Sequence, residues 1–278
     1  MIAVIVPVYK RFEVSIGLFS CLKNITNVLV VVVDDGAESS YRDYCDKNGF
    51  IYIEGTGELY WGGMINKGIE YVSSNKNRNF EKVIFANDDV LIRESDVQKL
   101  VDLDLDIVHP VVFDDNEVAV ESGSRLWNKY LFFTVHPFRG LSKESLPKER
   151  LEEMNIFTGR FLVMKLSVIQ ELRGIRTDLF AHYGGDSDLG LRSRSNYKAY
   201  IYSGASIILN TKTTDNILKR NPNLISFSRS LFEFKSASNL GVKIRLIFHN
   251  MPILSLPLNL VLILPYMYAQ FFYSKWKR

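Results

Sequence analysis

Through the first hundred positions, short apolar runs alternate with stretches whose apolar residues recur at helical spacing. Ile2–Val8 and residues 28–33 are continuous and rich in β-branched side chains, the pattern of parallel strands buried on both faces. Between them Val14, Leu18, Phe19 and Leu22 share one side of a helix. Residues 50–53 predict a third strand and residues 83–86 a fourth, with a helical stripe of Met64, Ile65, Gly68, Ile69 and Val72 between them. Such alternation predicts an α/β fold built on a doubly wound, mostly parallel sheet with right-handed crossovers. Ligands in these sheets lie beyond the carboxyl ends of the strands, so the residues that follow each strand are the candidates for chemistry.

From about residue 106 the pattern loosens. Shorter runs at 107–112, 118–120, 131–134 and 161–164 are joined by longer polar connections, which predicts an irregular half with antiparallel additions. Residues 167–173 read as a short helix and Ala199–Leu209 as a late strand. Residues 246–274 then contain no Asp, Glu, Lys or Arg, and 251–273 alone match the length of about 20 residues needed to cross a bilayer. Pro252, Pro257, Pro265 and Asn259 interrupt this run, which disfavours one straight helix. Aromatic residues crowd its end and Lys275, Lys277 and Arg278 follow, an interfacial signature. The plain alternative is a helical pair packed on the domain's own surface.

Charge sharpens this picture. The chain of 278 residues has a net charge of only +3, but the segment from Lys219 onward carries +8, which leaves −5 on residues 1–218. A basic, apolar tail on an acidic body fits an anionic membrane surface better than nucleic acid, because its cations flank an apolar run and do not interleave with stacking aromatics. Cys21 and Cys45 form no metal or redox pattern and read as free thiols. Residues 2–8 are too short for a signal peptide, so the expected location is the cytoplasmic face of the cell membrane, peripheral or monotopic.

Four polar clusters fall at predicted sheet ends. Val6-Pro7-Val8-Tyr9-Lys10 closes the first strand, where Pro7 cannot donate to a ladder and is expected to end pairing. Val33-Asp34-Asp35-Gly36 is either a turn or a hydrogen-bonding site for a base or ribose. Ala86-Asn87-Asp88-Asp89-Val90 sets two carboxylates side by side, costly unless a cation or donors compensate, and hard oxygen ligands suit Mg²⁺ or Mn²⁺. Its plain reading is a capped helix start before residues 93–100. In His182-Tyr183-Gly184-Gly185-Asp186-Ser187-Asp188 the glycines allow close backbone approach to a ligand, while Asp186 and Asp188 could equally cap a helix or complement its dipole.

As an ordered set, these clusters resemble the family-2 inverting glycosyltransferases of GT-A fold, over about residues 1–210. Val4-Ile5-Val6-Pro7-Val8-Tyr9-Lys10 looks like that family's opening strand, Val33-Asp34-Asp35-Gly36 like its nucleoside turn, and Asn87-Asp88-Asp89 like its metal-binding DxD. Tyr183-Gly184-Gly185-Asp186-Ser187-Asp188-Leu189-Gly190-Leu191-Arg192 resembles the segment holding the catalytic base. Gly57-Glu58-Leu59-Tyr60-Trp61-Gly62-Gly63-Met64-Ile65-Asn66-Lys67-Gly68 is similar to bacterial cell-surface polysaccharide transferases, rhamnosyltransferase-like members included. The resemblance implies a nucleotide-sugar donor bound near Pro7, Tyr9, Asp35, Trp61, Gly62, Gly63, Asn66 and Asp88. Within that set Asp35 would meet the base and Asp88 the ribose. Asp89 would hold the metal, and Asp186 would deprotonate an acceptor hydroxyl. It also implies a glycan or lipid-linked glycan acceptor, in synthesis of O-antigen or capsule type. On this reading residues 1–105 bind the donor, 106–218 form the acceptor half of the same domain, and 219–278 are a membrane-associating tail. Three departures stand out: Asn87 for the first acid of DxD, Gly185 where many members have Glu, and Asn210 where relatives often have His.

Two rival readings remain at this point. A nucleotidyltransferase or a Rossmann dehydrogenase would place a glycine-rich phosphate loop after the first strand, and Pro7-Val8-Tyr9-Lys10-Arg11 lacks it. A glycan-binding scaffold that kept the fold without catalysis is compatible with the three departures.

Overall fold

The computed structural model describes residues 1–75, 77–120, 122–209 and 223–276. Asn210 and the charges at Lys219, Arg220, Lys277 and Arg278 lie outside them. In chain order the elements begin with β1 (Ile2–Val8), α1 (Phe12–Leu22), β2 (Val28–Asp34), α2 (Ser39–Asn48), β3 (Ile51–Glu54), α3 (Tyr60–Ser74) and β4 (Lys82–Ala86). Next come β5 (Val90–Ile92), α4 (Glu94–Asp102), β6 (Ile107–Phe113), β7 (Arg125–Leu126), β8 (Thr134–Val135), β9 (Leu151–Met154), β10 (Phe161–Lys165) and α5 (Leu166–Glu171). The chain closes with α6 (Gly185–Ser193), β11 (Ala199–Leu209), α7 (Leu224–Ser230), α8 (Leu240–Asn250) and α9 (Leu256–Trp276).

The main sheet runs β3-β2-β1-β4-β10-β6-β11-β5, with β9 on β11. Strands β3, β2, β1 and β4 are mutually parallel, as their β-branched runs predict. β10 inserts antiparallel between β4 and β6, and β9 and β5 pair antiparallel with β11. Alternate residues of β1 feed opposite cores. Ala3 and Ile5 join Met64, Ile65 and Val72 of α3, while Val4, Val6 and Val8 join Leu18, Phe19 and Leu22 of α1 and Tyr41 of α2.

Several local expectations need correction. β1 continues through Pro7, which stands in register with Val33. The Val8 carbonyl accepts the Asp35 N–H on the β2 side at 3.1 Å, so Pro7 faces the β4 side, where pairing has stopped at Ile5. Its missing N–H therefore costs no ladder bond. Residues 118–120 make only isolated bridges, from Ala119 to Phe113 and from Val118 to Ser142, and of residues 131–134 only Thr134 is in a strand. The apolar tail forms a single long helix after α8, with Pro265 inside it and Pro257 in its first turn, where a proline's missing donor goes unneeded.

A third core ties the C-terminal helices to the body. Leu246, Ile247, Ile263, Met267 and Phe271 pack with Leu126, Phe132, Phe180 and Leu191. Asn259 fixes α9 by accepting the Phe132 N–H at 2.7 Å and donating to the Tyr130 carbonyl at 2.7 Å. The opposite face of that segment is bare: Ile253 is 80%, Leu254 93% and Val261 71% exposed.

Candidate functional site

The carboxyl ends of β1, β2 and β4 and the amino end of β10 converge on one rim, since Phe161 of β10 stands opposite Ala86 of β4. Asp34 is buried as a turn former, accepting from the N–H groups of Gly36 (2.8 Å) and Glu38 (2.7 Å) and from the Tyr52 hydroxyl. Asp35 is a loop clamp. Its carboxylate accepts the N–H groups of Thr56, Gly57, Leu59 and Tyr60 at 2.7–3.1 Å, about as many bonds as a carboxylate has acceptor positions. Tyr9 is exposed beside this rim, with the Lys10 ammonium 5.3 Å from its ring centre.

Asp88 and Asp89 follow β4 and are both buried. Arg11 grips Asp88 through two parallel bonds, one of them Nε to Oδ2 at 2.9 Å, and its Nη1 lies 3.8 Å from Asp89. Ser15 donates to Asp88 at 3.1 Å. Burial raises the Asp88 pKa, Arg11 and Ser15 pull it back, and the neighbouring Asp89 charge adds to the rise. One guanidinium thus faces two adjacent carboxylates, a donor set that fits a hard divalent cation. Among the described residues no group of three or more His, Cys, Asp or Glu is assembled. A metal here would take one or two carboxylates and complete its shell with phosphate and water oxygens, the habit of Mg²⁺.

Asn87 links this rim to the α3 entrance, accepting from Trp61 Nε1 at 2.9 Å, while its N–H goes to the Arg160 carbonyl at 2.8 Å. Trp61 lies against Gly159 so closely that a Cβ there would sit 2.2 Å from the indole. The Gly159 N–H donates to Asp186 Oδ2 at 2.9 Å, and the Ser187 N–H to Oδ1 at 2.7 Å. Trp61, Asn87, Gly159 and Asp186 therefore form one connected group. Asp186 occupies the second position of α6; the helix cap is Gly184, whose φ of 92° is a left-handed conformation suited to glycine.

The remaining candidates have structural work. Gly62 lets α3 approach Ile175 and Thr177, Gly63 packs on Leu59, and Asn66 makes paired 2.8 Å bonds to the N–H and carbonyl of Ile175. Asn66 thus ties α3 to the segment before α6 with both ends of its amide engaged. Asp188 is fully buried and faces away from Asp186, held by Arg176, Arg192 and Asn250.

Arg11, Gly159, Arg176 and His109 are absent from the sequence candidates. His109 donates Nδ1–H to the Pro110 carbonyl at 2.6 Å, which leaves Nε2 to accept from the Thr158 hydroxyl at 2.9 Å. Burial pushes its pKa down to about 4, so it stays neutral and braces the turn that carries Gly159. Thr158 and Gly159 precede β10, so a rule that looks to residues following strands passes over them. In an antiparallel insertion such as β10 it is the entering residues that reach the rim.

The model of the family described as glycosyl transferase family 2 matches residues 3–173. The chain is 25% identical over 187 residues to the low-salt glycan biosynthesis hexosyltransferase Agl10 of Haloferax volcanii, covering 66% of this chain and 58% of that protein. Less than two thirds of that relative's length is therefore spanned. The mannosyltransferase PcManGT of Pyrobaculum calidifontis, solved with GDP-Man and Mn²⁺, superposes with a TM-score of 0.52 at 16% identity, covering 96% of this chain and 73% of that one. TarS 1-349 of S. aureus superposes with a TM-score of 0.51 at 13% identity, covering 89% and 72%. These likenesses establish a shared fold.

Proposed function

The chain belongs to glycosyl transferase family 2, and from that premise we propose that it transfers a sugar from a nucleotide-sugar donor to a glycan or lipid-linked glycan acceptor with inversion. The setting we propose is surface-polysaccharide synthesis of O-antigen or capsule type. One observation carries the reading: Asp186 is bonded to Gly159, which packs on the Trp61 that binds Asn87, next to Asp88 and Asp89. A carboxylate and an acidic rim for a diphosphate's counter-ion thus share one cleft edge.

Inverting transfer needs a base on the acceptor hydroxyl and stabilisation of the departing diphosphate. Asp186 is the base. The Gly159 and Ser187 N–H groups fix the carboxylate at the cleft edge, and a positioned general base contributes about 10²–10⁴-fold. Pro7, Tyr9 and the loop that Asp35 holds border the nucleoside; Trp61, Gly62 and Gly63 border the sugar, and Asn66 fixes their helix. Asp88 lies on the ribose side and orients Arg11, whose charge holds the paired carboxylates together before the donor arrives. Asp89 would hold Mg²⁺ or Mn²⁺, which supplies charge neutralisation on the leaving group.

The exposed face of α9 is assigned to a lipid leaflet on the cytoplasmic side. The run 253–275 is long and apolar enough to cross a membrane, but one face is committed to the protein's own third core, which favours lying on the surface over spanning. Lys243, Arg245 and Lys275 supply charge for anionic headgroups. The test of the activity is turnover of UDP-, GDP- and dTDP-sugars with and without chelator. Metal-dependent hydrolysis or transfer of one donor is the expected result; inertness toward all of them would overturn it.

A further inference from the structure

At the entrance of the helix that carries Asp186 stands a row of aromatic rings, of which only Tyr60, at the end of the loop that Asp35 holds, also borders the donor side. The Tyr60 and His182 ring centres are 5.4 Å apart, and Phe234 lies 6.0 Å from each, tilted only 26° from the His182 plane. Tyr183 adds a fourth ring 4.5 Å from His182. Three distant segments supply them: the entrance of α3, the entrance of α6, and the turn between α7 and α8. The last two lie beyond residue 173, where the family match stops.

These rings are not ordinary core. Phe234 keeps 56% of its surface exposed, and Tyr60 and His182 are half-buried. His182 Nδ1 is buried without a hydrogen-bond partner, so stacking on its faces holds the ring. Tyr60 sits at φ 51°, a strained conformation for a bulky residue, and persists there because Asp35 holds its N–H. Strain of this kind concentrates at ligand sites. The placement is also specific: Tyr60 precedes the Trp61 that packs on Gly159, and His182 stands four residues before Asp186.

We propose that Tyr60, His182 and Phe234 form an acceptor subsite that seats a pyranose ring by its apolar C–H face and presents a hydroxyl to Asp186. This deepens the glycosyltransferase reading and rests on it. The face of an aromatic ring carries negative quadrupole density and attracts C–H groups, so stacking can orient a sugar while its hydroxyls stay available. A nucleobase would also stack on such rings. Two of the three, however, come from the α6 entrance, four residues or fewer before Asp186, and from the C-terminal segment, and neither is bonded to Asp35.

The experiment is saturation-transfer NMR on the full chain, with methyl α-L-rhamnopyranoside, methyl α-D-mannopyranoside and methyl β-D-glucopyranoside as probes. Calorimetry with UDP, GDP and dTDP runs in parallel. Wild type should transfer saturation to the C–H protons of at least one glycoside. Phe234→Leu, which keeps apolar volume without a ring, should cut the effect about fivefold, and Phe234→Tyr should restore it. Nucleotide affinity should be equal in all three proteins. The proposal is overturned if no glycoside responds, if Phe234→Leu responds like wild type, or if nucleotide affinity falls together with the glycoside signal. Nucleotide binding by the wild type separately tests the family reading, so the two can fail independently.

Discussion

Asn250, the last residue of α8, donates its side-chain amide to Asp188 at 3.0 Å, and Asp188 stands two residues after Asp186. The C-terminal helices are thereby bonded to the helix that carries the proposed base. Asp188 has two arginines and this amide around one fully buried carboxylate. Removing its charge leaves the half-buried Arg176 and Arg192 without the carboxylate that pairs them. Asp188→Asn is expected to cost about 3 kcal/mol of stability, read from urea unfolding. A loss under about 0.5 kcal/mol, the range of an ordinary surface change, would show that the cluster is not structural.

The pH dependence of stability separates two buried groups. Burial pushes His109 down to about 4, so the native chain keeps it neutral while the unfolded chain protonates it near 6.5. The unfolded state then binds more protons between those values, and stability falls as pH drops from about 6.5 to about 4, by about 3 kcal/mol at most. His109→Gln should flatten that interval. For Asp188, burial acts upward, but the bonds from Arg176, Asn250 and Arg192 outweigh it and hold the group below its usual range. Its contribution is complete above about pH 4 and is lost only as pH falls further. Melting temperatures from pH 8 to 3 for wild type and His109→Gln test both windows.

Asp89→Ala should abolish metal-dependent turnover with a stability change within about 1 kcal/mol. The side chain is buried, but its removal also relieves repulsion from Asp88. Turnover with and without chelator, alongside thermal melting, is the measurement. Full activity in the variant, or equal wild-type activity in chelator, removes the metal from Asp89.

Asp186→Asn is nearly isosteric and can still accept the Gly159 N–H on its amide oxygen. The expected outcome is a fall of turnover by about 10²–10⁴-fold with donor affinity retained, followed by single-turnover kinetics and calorimetry. Near-normal turnover would move the base elsewhere in the cleft.

Truncating the tail is a poor test of lipid contact, because Leu246, Ile247, Ile263 and Met267 belong to the third core. Substitution on the outer face avoids that damage. Leu254→Asp with Val261→Asp should abolish co-sedimentation with vesicles containing anionic lipid while leaving the melting temperature within a few degrees. Equal pelleting of wild type and variant would refute the assignment of that face.

The parallel half of the sheet was legible because strands buried on both faces announce themselves as β-branched runs, and their exits carry the candidate aspartates. What escaped is what depends on distant pairing. Nothing near Arg11 says that it will meet Asp88, 77 positions away. Gly159 looks like any turn glycine until β10 is known to enter beside β4. Asn66 and Gly62 sit in a motif that reads as a ligand loop, and nothing local tells that both also join α3 to Ile175. Local pattern reveals an element and its buried face; which polar group answers which is settled by topology.

The antiparallel insertion of β10 also bears on how this chain emerges from a ribosome. Until residues 161–165 arrive, one edge of β4 has no partner, and its core face of Val83 and Phe85 lacks the Leu162 and Met164 that complete it. A nascent chain ending near residue 105 would hold every aspartate proposed for the donor and still present an open apolar strand edge, the kind that recruits other chains. The boundary that looks natural for a minimal nucleotide-binding module would therefore yield an aggregating fragment, and synthesis must run past β10 before the first half is protected.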